Sequence, residues 1–264
     1  LNIVDINDKI GFAPDSVEWM NFNNSLLVKE GNSLFDYNVN TGILNVVKYS
    51  KDTPTIYASN ISQLIVFDTK ENSLLSYKNS LLSPIELPSS LLSTDIKNIY
   101  LSKNNNKYLY LETATQYKLL DLETFVITDI APVGKIQSIA PDGLGMIIIA
   151  VDKSLLSYNI KEDLVSNTVS VKENILDIAL GEDNILKYIP QSSHLLFFEK
   201  TTSKIFAFDK DGTNKIMLIE NPNIINRFDF DNTGRNLFFI LIDENTPDLK
   251  PNANIYKINI IQNQ

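Results

Sequence analysis

His194 is the only histidine in the chain, so any serine–histidine–aspartate relay or histidine-ligated metal site would have to use it. It stands in the stretch SSHLLFFEK (192–200), directly after Ser192 and Ser193. The sequence holds no G-x-S-x-G elbow, no H-E-x-x-H pair and no glycine-rich phosphate loop. We therefore expect His194 to be a strand-edge residue without a catalytic role, and we predict no catalytic residue and no enzyme activity in this chain.

A second stretch, FDKDGTNK (208–215), carries oxygen-bearing side chains at Asp209, Asp211 and Asn214. Clustered oxygen ligands suit calcium, but the distal bidentate glutamate of a calcium loop is missing. An Asp-Gly pair is also what a tight turn between two strands requires. The stretch therefore predicts an ordinary turn, and we expect no metal site and no cofactor.

Charge and cysteine content exclude several classes of function. The formal net charge is −9 and no basic run is present, so nucleic acid is not an expected partner. The absence of cysteine excludes disulfides, thiolate nucleophiles and cysteine-ligated zinc. It also favours a periplasmic or cell-surface domain, although a coding bias toward Asn and Lys would give the same count. No apolar run is long enough to cross a bilayer, and the start at Leu1 without a signal-peptide pattern indicates a mature or excised domain.

A six-residue motif recurs six times at a period of roughly forty residues, the period of four-stranded propeller blades. The copies, beginning at residues 17, 54, 96, 136, 185 and 225, read VEWMNF, PTIYAS, IKNIYL, IQSIAP, ILKYIP and INRFDF. A dense apolar run follows each copy, as expected for a strand that is buried on both faces. These runs are SLLVKE (25–30), QLIVFD (63–68), KYLYLE (107–112), MIIIAV (146–151), HLLFFE (194–199) and NLFFIL (236–241). A third run and a weaker fourth run complete the unit.

One such meander cannot bury both of its faces, so the copies must pack face to face around an axis. The pattern predicts a single all-β domain over 1–264, a six-bladed β-propeller of four-stranded antiparallel blades. We expect the blades to span approximately 17–53, 54–95, 96–135, 136–184, 185–224, and 225–264 together with 1–10. The last copy ends after its third strand, whereas the chain begins with LNIVDIND, which has no blade of its own. We therefore predict that Leu1–Asn7 pairs with Asn254–Ile260 and closes the ring.

Two corners of the repeat carry a family resemblance. SIAPDGLGMIII (138–149) and FDFDNTGRNLFF (228–239) resemble the repeats of TolB-like and dipeptidyl-peptidase-like β-propellers, whose units place an S-P-D-G-like turn before an apolar strand. The match lies in the PDG of residues 141–143 and, more loosely, in the DNTG of residues 231–234. The repeat period resembles that of the family along the whole chain, whereas the turn motif matches in only two repeats. The resemblance implies a six-bladed propeller and does not indicate a partner. We expect the aspartate of the turn to accept backbone N–H groups and the glycine to take a positive φ.

Two insertions interrupt the repeat. DENTPDLKPNAN (243–254) joins the second and third runs of the last copy, and the fourth and fifth copies are spaced widely around KENILDIALGEDN (172–184). We expect both insertions on one rim of the propeller, where loops on a rigid scaffold commonly bind partners. The predicted partner-binding residues are Asp243, Glu244, Asp248, Lys250, Ile175 and Leu176.

Three functions stay open. The first is a non-enzymatic protein-binding or scaffolding propeller, monomeric, whose partner is another protein or another domain of its parent chain. The second is a small-ligand or peptide-binding propeller that serves as an enzyme accessory, holding an anion or a peptide carboxylate in its central channel. The first-strand side chains predicted for that ligand are Lys97, Gln137, Lys187 and Arg227. The third is a structural spacer in a surface protein.

Overall fold

The computed structural model describes residues 6–20, 24–87, 95–150, 154–166, 168–178, 184–192, 194–199, 202–220, 224–231, 233–242 and 253–260. The chain forms two compact units, Leu1–Val133 and Gly134–Gln264. In the described ranges the structure is built from antiparallel strands, with one short helix, α1 (Ile6–Ile10). No helix within the same ranges is long and apolar enough to cross a membrane.

The first unit holds three four-stranded antiparallel sheets whose strands follow chain order. The first sheet consists of β1 (Ser16–Met20), β2 (Ser25–Glu30), β3 (Ser33–Asn38) and β4 (Leu44–Lys48). The second consists of β5 (Ile56–Ser59), β6 (Leu64–Asp68), β7 (Ser73–Lys78) and β8 (Leu81–Ile85). The third consists of β9 (Ile96–Leu101), β10 (Tyr108–Thr113), β11 (Gln116–Asp121) and β12 (Ile127–Pro132).

The second unit continues the same meander. The fourth sheet consists of β13 (Lys135–Ile139), β14 (Gly145–Ile149), β15 (Leu155–Asp163) and β16 (Thr168–Leu176). The fifth consists of β17 (Ile185–Tyr188), β18 (His194–Glu199), β19 (Lys204–Asp209) and β20 (Ile216–Glu220). The sixth has three strands in the described part of the chain, β21 (Ile224–Phe230), β22 (Asn236–Ile242) and β23 (Ala253–Asn259).

The second strand of a sheet sends alternate side chains to opposite sides. In β18, Leu195 and Phe197 pack with the fourth sheet, whereas Leu196 and Phe198 pack with the sixth. In the first unit, strand β6 likewise joins the cores on both of its faces. A strand that is covered on both faces needs an unbroken apolar run rather than an alternating one. The prediction that the six dense runs form the second strands is therefore confirmed.

The first strands of successive sheets lie beside each other within each unit. In the first unit, Ser59 Oγ donates to Glu18 Oε2 at 2.6 Å, which joins β5 to β1. In the second unit, the N–H of Tyr188 donates to Ser138 Oγ at 3.2 Å, which joins β17 to β13. Face-to-face packing of neighbouring sheets, with the first strands in contact, is the arrangement expected of propeller blades.

The two aspartate–glycine corners have the predicted turn geometry. Asp142 Oδ1 accepts the N–H of Leu144 at 3.0 Å, and Gly143 has a φ of 74°. Asp231 Oδ1 accepts the N–H of Arg235 at 3.1 Å, and Gly234 has a φ of 68°. The resemblance to other propeller repeats thus rests on residues that shape a turn.

The prediction that Ile6 and Asn7 belong to a closing strand is wrong, and Leu1–Asp5, the rest of that predicted strand, lies outside the described residues. Ile6 and Asn7 begin α1, and the N–H of Gly11 bonds to the carbonyl of Asn7 at 2.8 Å. Ile10 then packs on the first sheet against Val28 and Phe35. The physical reason is that a single helical turn followed by a glycine directs the apolar side chain of Ile10 onto the first sheet.

The wide spacing between the fourth and fifth copies also has a different origin from the one predicted. The extra residues lengthen the hairpin of β15 and β16, in which nine residue pairs run from Leu155↔Leu176 to Asp163↔Thr168. The prediction of an added segment on the connection between blades at 172–184 is therefore wrong for residues 172–176, which belong to β16. In an antiparallel meander this hairpin turn lies at the opposite end of the sheet from the exit of its fourth strand.

Candidate functional site

The hairpin of β15 and β16, which we call the long hairpin (residues 155–176), is the feature that departs most from the repeat. Strand β16 has nine residues, whereas the fourth strands β4, β8, β12 and β20 have five or six. It is the last strand of its sheet, and no other strand in the described ranges pairs with its outer edge. The outer edge of β16 therefore presents backbone N–H and C=O groups that the sheet itself does not use.

Side chains alternate along β16 as the pleat requires. Thr168, Ser170 and Lys172 are exposed on one face, and Val169 and Val171 are half-buried on the other. This strand is thus amphipathic and rich in β-branched residues, a composition that favours extended pairing. Lys172 is the one charged residue among these five.

The two predicted partner-binding residues in β16 have different environments. The side chain of Ile175 is 72% exposed, so it is accessible at the base of the long hairpin. Leu176 is 3% exposed and packs in the core between the fourth and fifth sheets, with Leu186 and Phe208. The prediction that Leu176 binds a partner is therefore wrong, because the side chain is already used inside the molecule.

The base of the long hairpin is fixed to the rest of the second unit. Ser157 Oγ donates to the carbonyl of Lys210 at 2.9 Å, which joins β15 to the turn between β19 and β20. Gly212 of that turn lies so close to Leu176 that a Cβ atom on the glycine would come within 3.2 Å of Leu176 Cδ2. On the other face, Tyr158 Oη donates to Glu173 Oε2 at 2.7 Å. These contacts involve only the half of β16 nearest its carboxyl end.

The tip of the long hairpin is an ordered turn that displays apolar side chains. Asp163 Oδ1 accepts the N–H of Val165 at 2.9 Å, and Asp163 Oδ2 accepts the hydroxyl of Ser166 at 2.7 Å. The Ser166 hydrogen bond and then the N–H of Val165 hold the pKa of Asp163 below its usual range. Leu164 and Val165 are 79% and 95% exposed. Residues 163–166 therefore form a hydrogen-bonded turn in which two apolar side chains face solvent.

The other predicted partner-binding residues, Asp243, Glu244, Asp248 and Lys250, lie outside the described residues. Their role stays a prediction.

The predicted channel residues are distributed over both units. Lys97, in the first unit, is exposed and forms an ion pair with Asp95. Gln137 stands at an irregularity of β13, between Ile136 and Ser138. Arg227 lies in β21, and its side chain is outside the described part.

Among the predicted channel residues whose side chains are described, Lys187 makes several internal contacts. Its ammonium group donates to the carbonyl of Phe228 at 2.9 Å, lies 3.4 Å from Asp229 Oδ1, and sits 5.1 Å from the centre of the Phe228 ring. These contacts connect β17 with β21 inside the second unit. A ligand would have to compete with them, so the Lys187 ammonium is better explained as a link between two sheets.

His194 stands at the centre of a short hydrogen-bonded chain. Ser192 Oγ lies 2.7 Å from His194 Nδ1, and His194 Nε2 lies 3.1 Å from Asp209 Oδ1. Asp209 Oδ2 accepts a hydrogen bond from Asn214 Nδ2 at 2.7 Å. The Ser192 hydroxyl also accepts the N–H of His194 at 2.9 Å, which makes the serine part of a local turn. Serine, histidine and aspartate are thus connected in the order of a catalytic relay. The serine and the histidine belong to a turn, however, and the histidine side chain is 44% exposed.

The stretch that imitates a calcium loop is the turn between β19 and β20. The N–H of Gly212 donates to the carbonyl of Asp209 at 2.8 Å, and Gly212 has a φ of 89°. Asp211 Oδ1 accepts both the N–H and the hydroxyl of Thr213. The prediction of an ordinary Asp-Gly turn is confirmed, since Asp211 accepts donors of the turn, and Asp209 accepts Asn214 of the turn in addition to its contact with His194.

Sequence reasoning missed the long hairpin as a site. Its signal was the alternation T-V-S-V at 168–171, which follows the turn-forming stretch at 163–167. That alternation predicts a strand with one polar face, but it does not indicate that the strand is longer than the fourth strands of the other sheets.

Comparison with known proteins adds information about the fold. No protein-family model and no curated protein matches the sequence. Among solved structures, the chain is similar to a prolyl endopeptidase from a structural and mechanistic study of two such enzymes, with a TM-score of 0.59 and 11% identity over 94% of this chain and 39% of that one. It is similar to Hsv2 of Kluyveromyces lactis, with a TM-score of 0.51 and 13% identity over 85% of this chain and 70% of that one. Hydrazine synthase of Kuenenia stuttgartiensis has a TM-score of 0.50 and 14% identity over 87% of this chain and 76% of that one.

At these identities the likeness concerns the fold alone. The chain spans about two fifths of the length of the prolyl endopeptidase that it matches. Together with the antiparallel four-stranded sheets, the solved structures show that this all-β chain has a β-propeller fold.

Proposed function

We propose that the chain is a non-enzymatic binding module that holds an extended segment of another protein along the outer edge of β16. The observation that carries the proposal is the nine-residue fourth strand, whose outer edge has no partner strand in the described part of the chain. An added strand forms backbone hydrogen bonds to such an edge, and pockets for alternate side chains provide selectivity. We further propose six blades, a ring closed by pairing of residues 1–5 with the last sheet, TolB-like ancestry and a periplasmic or cell-surface location.

The features that normally protect an edge strand are missing from the outer half of β16. Natural edge strands are shortened, or carry proline and charged side chains, so that other chains do not pair with them. β8 contains Pro84 and β12 ends at Pro132, whereas residues 168–172 hold no proline and a single charge, Lys172. β4 and β20 also lack proline and carry a single charge, but each has only five residues, so β16 is the longest such edge among the described fourth strands.

The partner segment that suits this edge is neutral or basic. The chain carries a net charge of −9, which repels a second copy and any strongly acidic segment. Val169 and Val171 on one face of the edge strand suit a partner that places β-branched residues on that face. An extended segment of a different protein is therefore favoured over self-association through this edge.

The experiment selects peptides from a random library for binding to the chain. Peptides that also bind a variant in which Asn-Gly replaces residues 161–170 are then discarded. We expect the remaining peptides to be rich in β-branched residues at alternate positions and to bind the parent chain without changing its monomeric state. Recovery of no peptide that requires the long hairpin would contradict the proposal. A peptide-independent dimer that the same replacement abolishes would contradict it as well, because the occupant would then be a second copy.

Proline substitutions provide the matched control. In an antiparallel pair, successive residues point their N–H groups alternately toward the partner strand and away from it. Of Ser170→Pro and Val171→Pro, one therefore removes a hydrogen bond within the long hairpin and the other removes only an outward N–H. The variant that keeps the melting temperature of the parent is the informative one, and we expect it to lose peptide binding.

One arrangement favours a second function, a hydrolase. Ser192, His194 and Asp209 form the hydrogen-bonded order of a catalytic relay. Against it, the serine hydroxyl is held by the N–H of His194 within the same turn, and the histidine side chain is almost half exposed. We therefore favour binding over catalysis.

A further inference from the structure

A cleft in the first unit lies far along the chain from the long hairpin and is independent of the function proposed above. It is formed by residues 48–55, which connect the first and second sheets, and by residues 67–70 at the turn between β6 and β7. Its volume is about 340 Å³, which is within the range of small-molecule sites.

The connection that forms one wall is fixed in place by its neighbours. Ser33 Oγ donates to the carbonyl of Ser50 at 3.1 Å and accepts the N–H of the same residue at 3.1 Å. Asn32 Nδ2 donates to the carbonyl of Lys51 at 3.2 Å, and Thr55 Oγ1 donates to the carbonyl of Asn32 at 2.5 Å. The wall is thus held against the turn between β2 and β3, and little ordering would be needed when a ligand binds.

The cleft combines aromatic surface with hydroxyl groups. Phe67 is 4% exposed and belongs to the core beneath the cleft, whereas the Tyr49 side chain is 72% exposed. Thr53 and Thr69 add hydroxyl groups to the lining. An exposed tyrosine ring offers a flat surface for an aromatic or otherwise planar ligand group.

The charges that line the cleft are mostly positive in a chain whose net charge is strongly negative. Lys48 Nζ lies 2.6 Å from Asp68 Oδ2, so the charges of this pair offset each other. Lys51 and Lys70 are exposed, and their ammonium groups have no acceptor among the described residues. Asp52 is the remaining charged residue of the lining. Two ammonium groups are thus available to an anion, opposed by one carboxylate.

We propose that this cleft binds a small organic anion, with its carboxylate or phosphate group on Lys51 and Lys70 and a planar part against Tyr49. Lys48 is not a ligand in this arrangement, because Asp68 holds it. The site differs from the predicted channel site, since it uses none of the first-strand residues Lys97, Gln137, Lys187 and Arg227.

The test measures binding of phenyl phosphate, benzoate and inorganic phosphate by titration calorimetry at constant ionic strength. The double variant K51Q/K70Q is compared with K103Q/K135Q, which removes the same charge at exposed lysines outside the cleft. We expect the Kd of phenyl phosphate to rise roughly tenfold or more in K51Q/K70Q and to stay unchanged in the control pair. The relative affinities of phenyl phosphate and benzoate distinguish a phosphate from a carboxylate ligand.

The aromatic part of the proposal has a separate readout. Tyr49→Ala should weaken phenyl phosphate binding and leave inorganic phosphate binding unchanged, because only the former has a ring. The proposal is overturned if the parent chain binds none of the three probes, if both lysine pairs weaken binding equally, or if Tyr49→Ala affects both phosphates alike.

Discussion

Asp163 and Thr168 face each other as the outermost pair of the long hairpin, eight pairs beyond Leu155 and Leu176 at its base. Core packing against the fifth sheet occurs at the base, where both Leu155 and Leu176 are buried. The outer pairs therefore contribute little to the core of the second unit. This relationship separates the strand edge that we propose to bind partners from the part of the hairpin that holds the fold together.

Replacement of residues 161–170 by Asn-Gly should accordingly leave the fold intact. Asn-Gly is the preferred two-residue turn of a hairpin, and the six pairs from Leu155↔Leu176 to Ile160↔Val171 remain. We expect a melting temperature within a few degrees of that of the parent, measured by circular dichroism. A large loss of stability would show that the outer hairpin is part of the core after all.

Gly234→Ala should be among the most damaging single substitutions. Gly234 has a φ of 68°, and a Cβ atom there would lie 2.1 Å from the carbonyl oxygen of Pro190. We expect a loss of about 3 kcal/mol or more in the free energy of unfolding, measured by urea denaturation. Gly31→Ala is the matched control, since Gly31 has a φ of 56° with no atom near its Cβ position, and it should cost about 1 kcal/mol.

The Lys48–Asp68 ion pair should make stability depend on acid pH. The hydrogen bond from Lys48, assisted by the N–H groups of Lys70 and Glu71, holds the pKa of Asp68 below its usual range. The ion pair therefore contributes its full stabilisation above about pH 4, since the pKa of Asp68 in the unfolded chain is about 4. This contribution is lost as the pH falls through the lower pKa that Asp68 has in the folded state.

When the pH is lowered, the free energy of unfolding should fall less in Asp68→Asn than in the parent. The difference should be about 0.5 to 1 kcal/mol, because the ion pair is partly exposed. The measurement is urea denaturation at a series of pH values from neutral to below 4. Asp52→Asn removes a nearby carboxylate without a described partner, and it should follow the parent curve. Equal acid losses in the parent and in Asp68→Asn would refute this assignment.

Tyr77 should cause a loss of stability in alkali. Burial and the nearby Asp36 carboxylate raise the pKa of Tyr77 to about 12, and its hydroxyl donates to Asp36 Oδ2 at 3.0 Å. The folded state thus keeps a proton that the unfolded chain releases near pH 10, so stability falls as the pH rises from 10 toward 12.

Tyr77→Phe should reduce this alkaline loss by about 1 to 2 kcal/mol relative to the parent. The slope of stability with pH is the quantity to compare, because removal of the hydroxyl also leaves Asp36 without that donor at every pH. Tyr49→Phe serves as the control, since its side chain is largely exposed. The same slope for Tyr77→Phe and the parent would show that Tyr77 is not responsible.

The Ser192, His194 and Asp209 chain should not catalyse acyl transfer. The hydroxyl is held by its own turn, so we expect no covalent labelling of Ser192 by a fluorophosphonate probe, followed by mass spectrometry of the intact chain. Labelling that disappears in His194→Gln would instead establish an activated serine and would favour the hydrolase function.

The strand pattern was predictable because burial on both faces imposes a continuous apolar run. SLLVKE and HLLFFE coincide with β2 and β18 at both ends, and the Asp-Gly corners were recognisable because turn residues have local conformational requirements. The short helix α1 was not predictable in this way. Five residues with isoleucine at both ends fit one turn of helix as readily as a strand.

The candidate site was less predictable than the fold. The edge of β16 consists of backbone groups, which every residue possesses, so no residue type marks it. Leu176 illustrates the difficulty, because the sequence shows an apolar residue near an insertion but not that Leu186 and Phe208 cover it. The cleft was missed for a similar reason, since Lys51 and Lys70 are brought together only by packing of the first and second sheets.

The most direct test of the proposed function is amide hydrogen exchange along β16, with and without a peptide selected as described above. We predict that every second N–H group between Thr168 and Lys172 exchanges rapidly in the free chain and becomes protected when the peptide binds. Protection that is already complete in the free chain, or that appears on peptide binding only in other strands, would contradict the claim that this edge is the binding surface.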